Sequence, residues 1–223
     1  MNIFLGIMIP FAGTALGAAC VFLLKNDIRA GVQKALLGFA SGIMVAASVW
    51  SLLIPAMEMS ESMGKLRFIP AALGFMVGIL TLLLMDSYVP HQHLGQEEAE
   101  GVKKNWSRSM KMVMAVTIHN IPEGIATSVP IYYSTGSRKR AFIVSFFSGI
   151  TEPLGAIIGY LILRPFFNDV VFGILFGIIA GIMVFISIEE LLPMAREYEK
   201  SKVTIIGVIL GMAIIALSLL LFL

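Results

Sequence analysis

His119, Asn120 and Glu123 lie three and four residues apart in an apolar stretch, so a helix presents all three from one face within a single turn. An imidazole nitrogen, an amide oxygen and a carboxylate suit zinc, iron or manganese, and the lack of thiolates argues against copper(I). A charged side chain at bilayer depth costs about 2.5–3.5 kcal/mol on insertion scales, so a glutamate beside a histidine in that setting predicts an ion site. Pro122 lacks an N–H and clashes with the carbonyl of Ile118, which predicts a kink that frees a carbonyl at the same depth. Gly124 keeps the next position small.

A second polar interruption, Thr151-Glu152-Pro153, sits in the next apolar stretch, where Pro153 is expected to free the carbonyl of Gly149. Glu152 falls about eleven residues into its stretch and Glu123 about thirteen into its own, so at 1.5 Å per residue antiparallel neighbours bring both near mid-membrane. Two carboxylates repel there unless a cation lies between them. One divalent ion neutralises the pair, and neutral His119 with the amide oxygen of Asn120 completes the shell without adding charge. His119, Asn120, Glu123 and Glu152 are therefore the candidate metal ligands. The plainer alternatives are a histidine hydrogen-bonded to a neighbouring helix and a protonated, structural Glu152.

Other polar groups are candidates for an ion pathway. Glu189 and Glu190 precede Leu191-Leu192-Pro193 near a helix end, and Asp86 also lies near one; all three could simply be solvated. His91 and His93 fall in a hydrophilic loop, where they face water or gather metal weakly. Met110, Met112 and Met114 read as packing or lipid-facing residues.

The elements that must hold these groups follow from composition. The chain is 58% hydrophobic and 13% charged with mean hydropathy +0.91, against roughly 45–50% and 25% in soluble domains. An all-α, polytopic transmembrane helical bundle is expected, forming a single domain over 1–223. Windows of about 20 apolar residues place spans near 3–24, 33–57, 68–89, 110–133, 141–163, 169–193 and 203–223, with a polar loop at 90–109. No extramembrane catalytic domain fits. The first span has no Lys or Arg before it and is expected to be retained. The single Cys20 excludes an intramolecular disulfide, and a net charge of +2 gives no case for nucleic acid. Glycines four apart, at Gly13/Gly17, Gly155/Gly159, Gly173/Gly177/Gly181 and Gly207/Gly211, predict close helix contacts in lipid.

Loop charge sets up a conflict. Lys and Arg number three in the first loop (Lys25, Arg29, Lys34), two in the second (Lys65, Arg67) and four in the third (Lys103, Lys104, Arg108, Lys111). Three follow in the fourth (Arg138, Lys139, Arg140), one in the fifth (Arg164) and three in the sixth (Arg196, Lys200, Lys202). Positive charge favours the cytoplasm, so the first and third loops belong there, and so do the fourth and sixth. One helix at 110–133 cannot satisfy both demands.

The segments HNIPEGIA (119–126), GSRKRAF (136–142), SGITEPLGA (148–156) and AGIMVFISIEELLP (180–193) resemble the Zrt/Irt-like (ZIP) metal-ion transporters, particularly small bacterial members. The resemblance covers nearly the whole chain. It implies a multi-pass protein of the cell (inner) membrane that moves zinc, and often iron, manganese or cadmium, into the cytoplasm. The ion is substrate and no cofactor is implied; the partners are the divalent cation and the lipid bilayer, with a homodimer also open. By resemblance His119, Asn120 and Glu123 are motif ligands, Glu152 reaches them from the following helix, and Glu189 and Glu190 lie toward an exit. The family has eight helices and two successive HNxPEG-like segments; this chain has about seven and one. Deletion between two near-identical motifs would remove about one helix with its connection, and restoring that crossing places all four basic loops on one side. Two alternatives to transport stand beside it: a remnant that binds metal without moving it, and an intramembrane metalloprotease. The latter needs two histidines around a glutamate, as in HExxH, and only one intramembrane histidine is present.

Overall fold

Every described element is helical, as expected for a chain whose apolar stretches must satisfy their own backbone groups inside lipid. The structure, a computed structural model, describes residues 3–24, 30–88, 108–196 and 202–221. In chain order the α-helices are α1 (Ile3–Ala19), α2 (Ala30–Ala47), α3 (Ile54–Met59), α4 (Phe68–Tyr88) and α5 (Arg108–Thr135). Then come α6 (Arg138–Gly149), α7 (Thr151–Leu163), α8 (Asp169–Ile186), α9 (Leu192–Arg196) and α10 (Lys202–Leu221). Widened π turns at Ser48–Leu53 and Ser187–Leu191 join α2 to α3 and α8 to α9. Among the described residues five helical rods are long and apolar enough to cross a membrane, and Ile7–Leu23 is a shorter apolar helix.

Local chemistry explains several boundaries. Gly136 takes φ 65° just past α5 and its N–H donates to the Tyr132 carbonyl at 2.8 Å, the left-handed ending that glycine adopts without a Cβ penalty. The Ser137 hydroxyl then accepts from the Arg140 N–H at 3.3 Å, starting α6. Asn168 caps α8 in the same manner, accepting from the Val171 N–H at 3.0 Å. Such caps satisfy N–H groups that the first helical turn leaves unpaired.

Three close helix pairs organise the bundle: α1 with α5, α2 with α10, and α4 with α8. Each pair runs parallel. Gly38 and Gly42 of α2 face Thr204 and Val208 of α10, while Gly207 and Gly211 face Ala35 and Phe39 in return. Gly74 and Gly78 of α4 likewise face Ile174 and Ile178, and Gly177 and Gly181 face Ala71 and Phe75. A Cβ on Gly42 or Gly211 would come within 2.8 Å of backbone atoms across the contact, so these notches admit only glycine. Gly155 and Gly159, spaced identically, face open space; α7 is exposed along most of its length, with Leu154, Ile158, Leu161 and Ile162 outward, a lipid-facing surface. The helices α1, α5 and α6 pack together, and this group meets the rest chiefly where α5 touches α2, with Ala126 entering the cluster of Leu37, Ala40, Met44 and Met183.

Direction along the bundle locates the conflict in loop charge. Thr14 lies beside Gly124 and Val21 clusters with Ile131 and Tyr132, so α5 runs with α1. Arg138 donates through Nη2 to the Leu24 carbonyl, fixing the ends of α1 and α5 at one end of the bundle, which we term the basic end. Ser41 pairs with Ser187 and Ala56 lies against Gly173, so α8 opposes α2, and α4 follows α8. Arg138, Lys139, Arg140, Arg196 and Lys202 thus share the basic end, while Lys65, Arg67 and Arg164 lie at the other. The consecutive helices α4 and α5 consequently point the same way: Tyr88 is at the basic end and Arg108 at the opposite one.

Candidate metal site

Two acidic residues meet where α5, α1 and the α6–α7 junction converge. Glu123 is 3% exposed and Asn120 is fully buried, both on the α5 face that packs toward α1. Glu152 is the second residue of α7 and half-buried. The helix stops at Gly149 and restarts at Thr151, with Ile150 between them donating its N–H to Phe147 at 3.3 Å and the Thr151 hydroxyl donating to Ser148 at 2.7 Å. Pro153 explains the break, since it cannot supply an N–H to the preceding turn. Pro122 lies inside α5, which is one helix from Arg108 to Thr135, since neighbouring helices can support a proline-bearing membrane helix.

Asn120 Nδ2 donates to Glu152 Oε2 at 2.8 Å, a charge-assisted contact that ties the two helices. The amide is thereby oriented with Oδ1 as its remaining acceptor, and that buried oxygen has no hydrogen-bond donor among the described residues. A third helix contributes a group the sequence reading did not single out. Thr14 of α1, 1% exposed, donates its hydroxyl to Glu152 Oε1 and lies 3.4 Å from Glu123 Oε2. It therefore sits between the two carboxylates. Its only sequence signal is a hydroxyl beside Gly13 in an apolar, small-residue stripe.

Of His119 only its position in α5 is described, next to Asn120; the same holds for Asp86, near the C-terminal end of α4. His91 and His93 lie outside the described residues. Glu189, exposed, and Glu190, half-buried, occupy the π turn Ser187–Leu191 of the other helix group, which the Ser41–Ser187 pair at 2.7 Å fastens to α2. Among the described residues no third histidine, cysteine, aspartate or glutamate completes a metal cluster. The oxygens gathered are therefore two carboxylates, one amide and one hydroxyl, donors that hold a hard or borderline cation and offer nothing to a soft one.

Comparison with known proteins decides what kind of bundle this is. The family model described as ZIP Zinc transporter matches residues 99–219. The chain is 36% identical to the zinc transporter ZupT of Chlorobium chlorochromatii (strain CaD3), with 95% of each chain aligned. This chain belongs to the ZIP zinc transporter family. It is also 56% identical to ZupT of Chlorobium luteolum, with 93% of each chain aligned, and 35% identical to ZupT of Clostridium perfringens, with 98% of this chain and 95% of the relative aligned. These alignments run over 257, 249 and 275 positions against 223 residues here. With 95%, 93% and 98% of this chain aligned, about 212, 207 and 219 residues, these ZIP relatives carry about 45, 42 and 56 positions opposite which this chain has none. A membrane-crossing helix needs about 20 residues, so each difference is long enough to hold one helix.

Proposed function

We infer that the chain carries divalent cations, zinc foremost, into the cytoplasm across the cell (inner) membrane, holding the ion with His119, Asn120, Glu123 and Glu152. Iron, manganese and cadmium are further substrates of the same class. The observation that carries this reading is the pairing of buried Glu123 and half-buried Glu152 around a hydroxyl, with an amide oxygen left over, inside an apolar bundle. Two acids in such a place repel unless an ion or a proton lies between them. One divalent cation removes both negative charges at once, and the carboxylates on two different helices let it be taken up and released as those helices shift. Relatives named as zinc transporters support the choice of metal. Glu189, Glu190, Asp86, His91 and His93 serve the approach and departure of the ion, and the protein needs no cofactor and acts as no enzyme.

A second reading starts from the parallel course of α4 and α5: the chain binds the ion without moving it. Radiolabelled zinc uptake into proteoliposomes, paired with calorimetry on the same detergent-purified protein, separates the two. Transport predicts uptake that Glu123→Ala abolishes. Binding in calorimetry with no uptake selects the second reading, and equal uptake by both proteins removes Glu123 from the mechanism.

A further inference from the structure

Thr14 touches both acids, and its surroundings are built to keep it there. Its carbonyl seats against Gly124, the residue beside Glu123, where any Cβ would strike α1 backbone. Its methyl lies against Gly149, three residues before Glu152, where an added Cβ would come within 3.0 Å of Thr14 Cγ2. A glycine thus stands where Thr14 approaches on α5, beside Glu123, and at the end of α6, just before the α7 turn that bears Glu152. A threonine offers one O–H donor and two lone pairs. That hydrogen goes to Glu152 Oε1, while Asn120 Nδ2 holds Glu152 Oε2 at 2.8 Å. The Glu152 carboxylate is therefore gripped at both oxygens by α1 and α5 together. Many hydroxyls elsewhere turn back onto their own helix, as Ser48 does to Met44 at 2.7 Å, Ser60 to Ala56 at 3.1 Å and Thr81 to Val77 at 2.8 Å, while Ser41 and Ser187 pair with each other across helices. Thr14 instead points across helices to an acid.

We propose that Thr14 is a positioning residue for the metal: its hydroxyl fixes the orientation of Glu152 relative to Glu123 and so sets both the affinity of the site and its preference for small over large divalent ions. The proposal rests on Glu123 and Glu152 being metal ligands. Partners that orient metal ligands typically change affinity about 10- to 100-fold when removed. Thr14→Val keeps the branched shape and deletes the hydroxyl, while Thr14→Ser keeps the hydroxyl.

The test is calorimetric titration of the full chain in detergent with zinc chloride and, separately, cadmium chloride, together with the thermal midpoint of each variant. Thr14→Val is expected to bind zinc about tenfold or more weakly, with the zinc-to-cadmium ratio falling and the midpoint kept, while Thr14→Ser restores both affinity and ratio. If the valine does not fold, Thr14→Ala against Thr14→Ser gives the same contrast. Glu123→Ala and Glu152→Ala run in parallel. Should they lose zinc while Thr14→Val binds both metals as the parent does, Thr14 has no positioning role and the ligand assignment stands. Should both alanine variants bind zinc as the parent does, the ligand assignment itself fails, and the role of Thr14 with it.

Discussion

Replacing Gly124 by alanine tests whether the contact between α1 and α5 holds the acids in place. The new Cβ would lie 2.9 Å from the Gly17 carbonyl carbon, and nearer still to the Thr14 carbonyl oxygen and the Ala18 N–H. All three are backbone atoms, so no rotamer change relieves them. Ordinary contact begins at 3.4 Å, so the helices must part by at least the 0.5 Å that separates 2.9 from 3.4, and by more to clear Thr14. That movement pulls the Thr14 hydroxyl, already 3.4 Å from Glu123, out of reach of that acid. Forcing an extra methyl into a packed interface costs about 1–3 kcal/mol. If zinc binding requires the close arrangement, that cost weakens affinity about 5- to 150-fold at 1.4 kcal/mol per tenfold. Calorimetry with zinc chloride on the detergent-purified variant measures it, with Gly155→Ala as control because a Cβ there meets nothing within 4 Å. A Gly124→Ala protein with parental affinity and thermal midpoint would show that the carboxylates are not held through α1, and the reasoning from close helix approach would fail.

Three further outcomes are expected. Gly211→Ala, which drives a Cβ into the Phe39 and Ile43 backbone, should lower stability by about 1–3 kcal/mol, whereas Gly159→Ala should stay within about 0.5 kcal/mol; thermal melts in detergent compare them. Ser41→Ala and Ser187→Ala each remove one side of a buried 2.7 Å pair and should cost about 0.5–1.5 kcal/mol apiece, with the double variant losing less than the sum; strict additivity would mean the pair contributes nothing. In a Cys20→Ser background, a cysteine at Ser137 should resist an impermeant maleimide on intact cells while one at Ser62 reacts, because the basic end belongs in the cytoplasm. Labelling of position 137 from outside would refute the helix directions described above.

The pairing of Glu123 with Glu152 was readable in the sequence because acids are so costly among apolar neighbours that two of them, one turn from prolines and small residues, invite a joint explanation. Thr14 was not, since a hydroxyl in a membrane helix ordinarily satisfies itself on the carbonyl four residues back, and nothing in the letter T distinguishes the exception. Glycine spacing marked possible notches but not their occupants: Gly207 and Gly211 receive the backbone of α2, while Gly155 and Gly159 receive none. Counting Lys and Arg exposed a contradiction in the loops without saying where it lay, because hydropathy is blind to the direction in which a helix runs. The registers of Gly38, Gly74 and Gly124 against their partners, with the Ser41–Ser187 contact that opposes α8 to α2, showed that α4 and α5 are parallel.

That parallel pair bears on how the protein is made. A ribosome feeding successive apolar segments into the bilayer lays them down in alternating sense, which would leave Arg108 on the side where Tyr88 emerged. The described helices have them on opposite faces, and the sequence between them carries Glu97, Glu98, Glu100, Lys103 and Lys104. Biogenesis and the finished bundle therefore make opposing demands on one short tract of polypeptide.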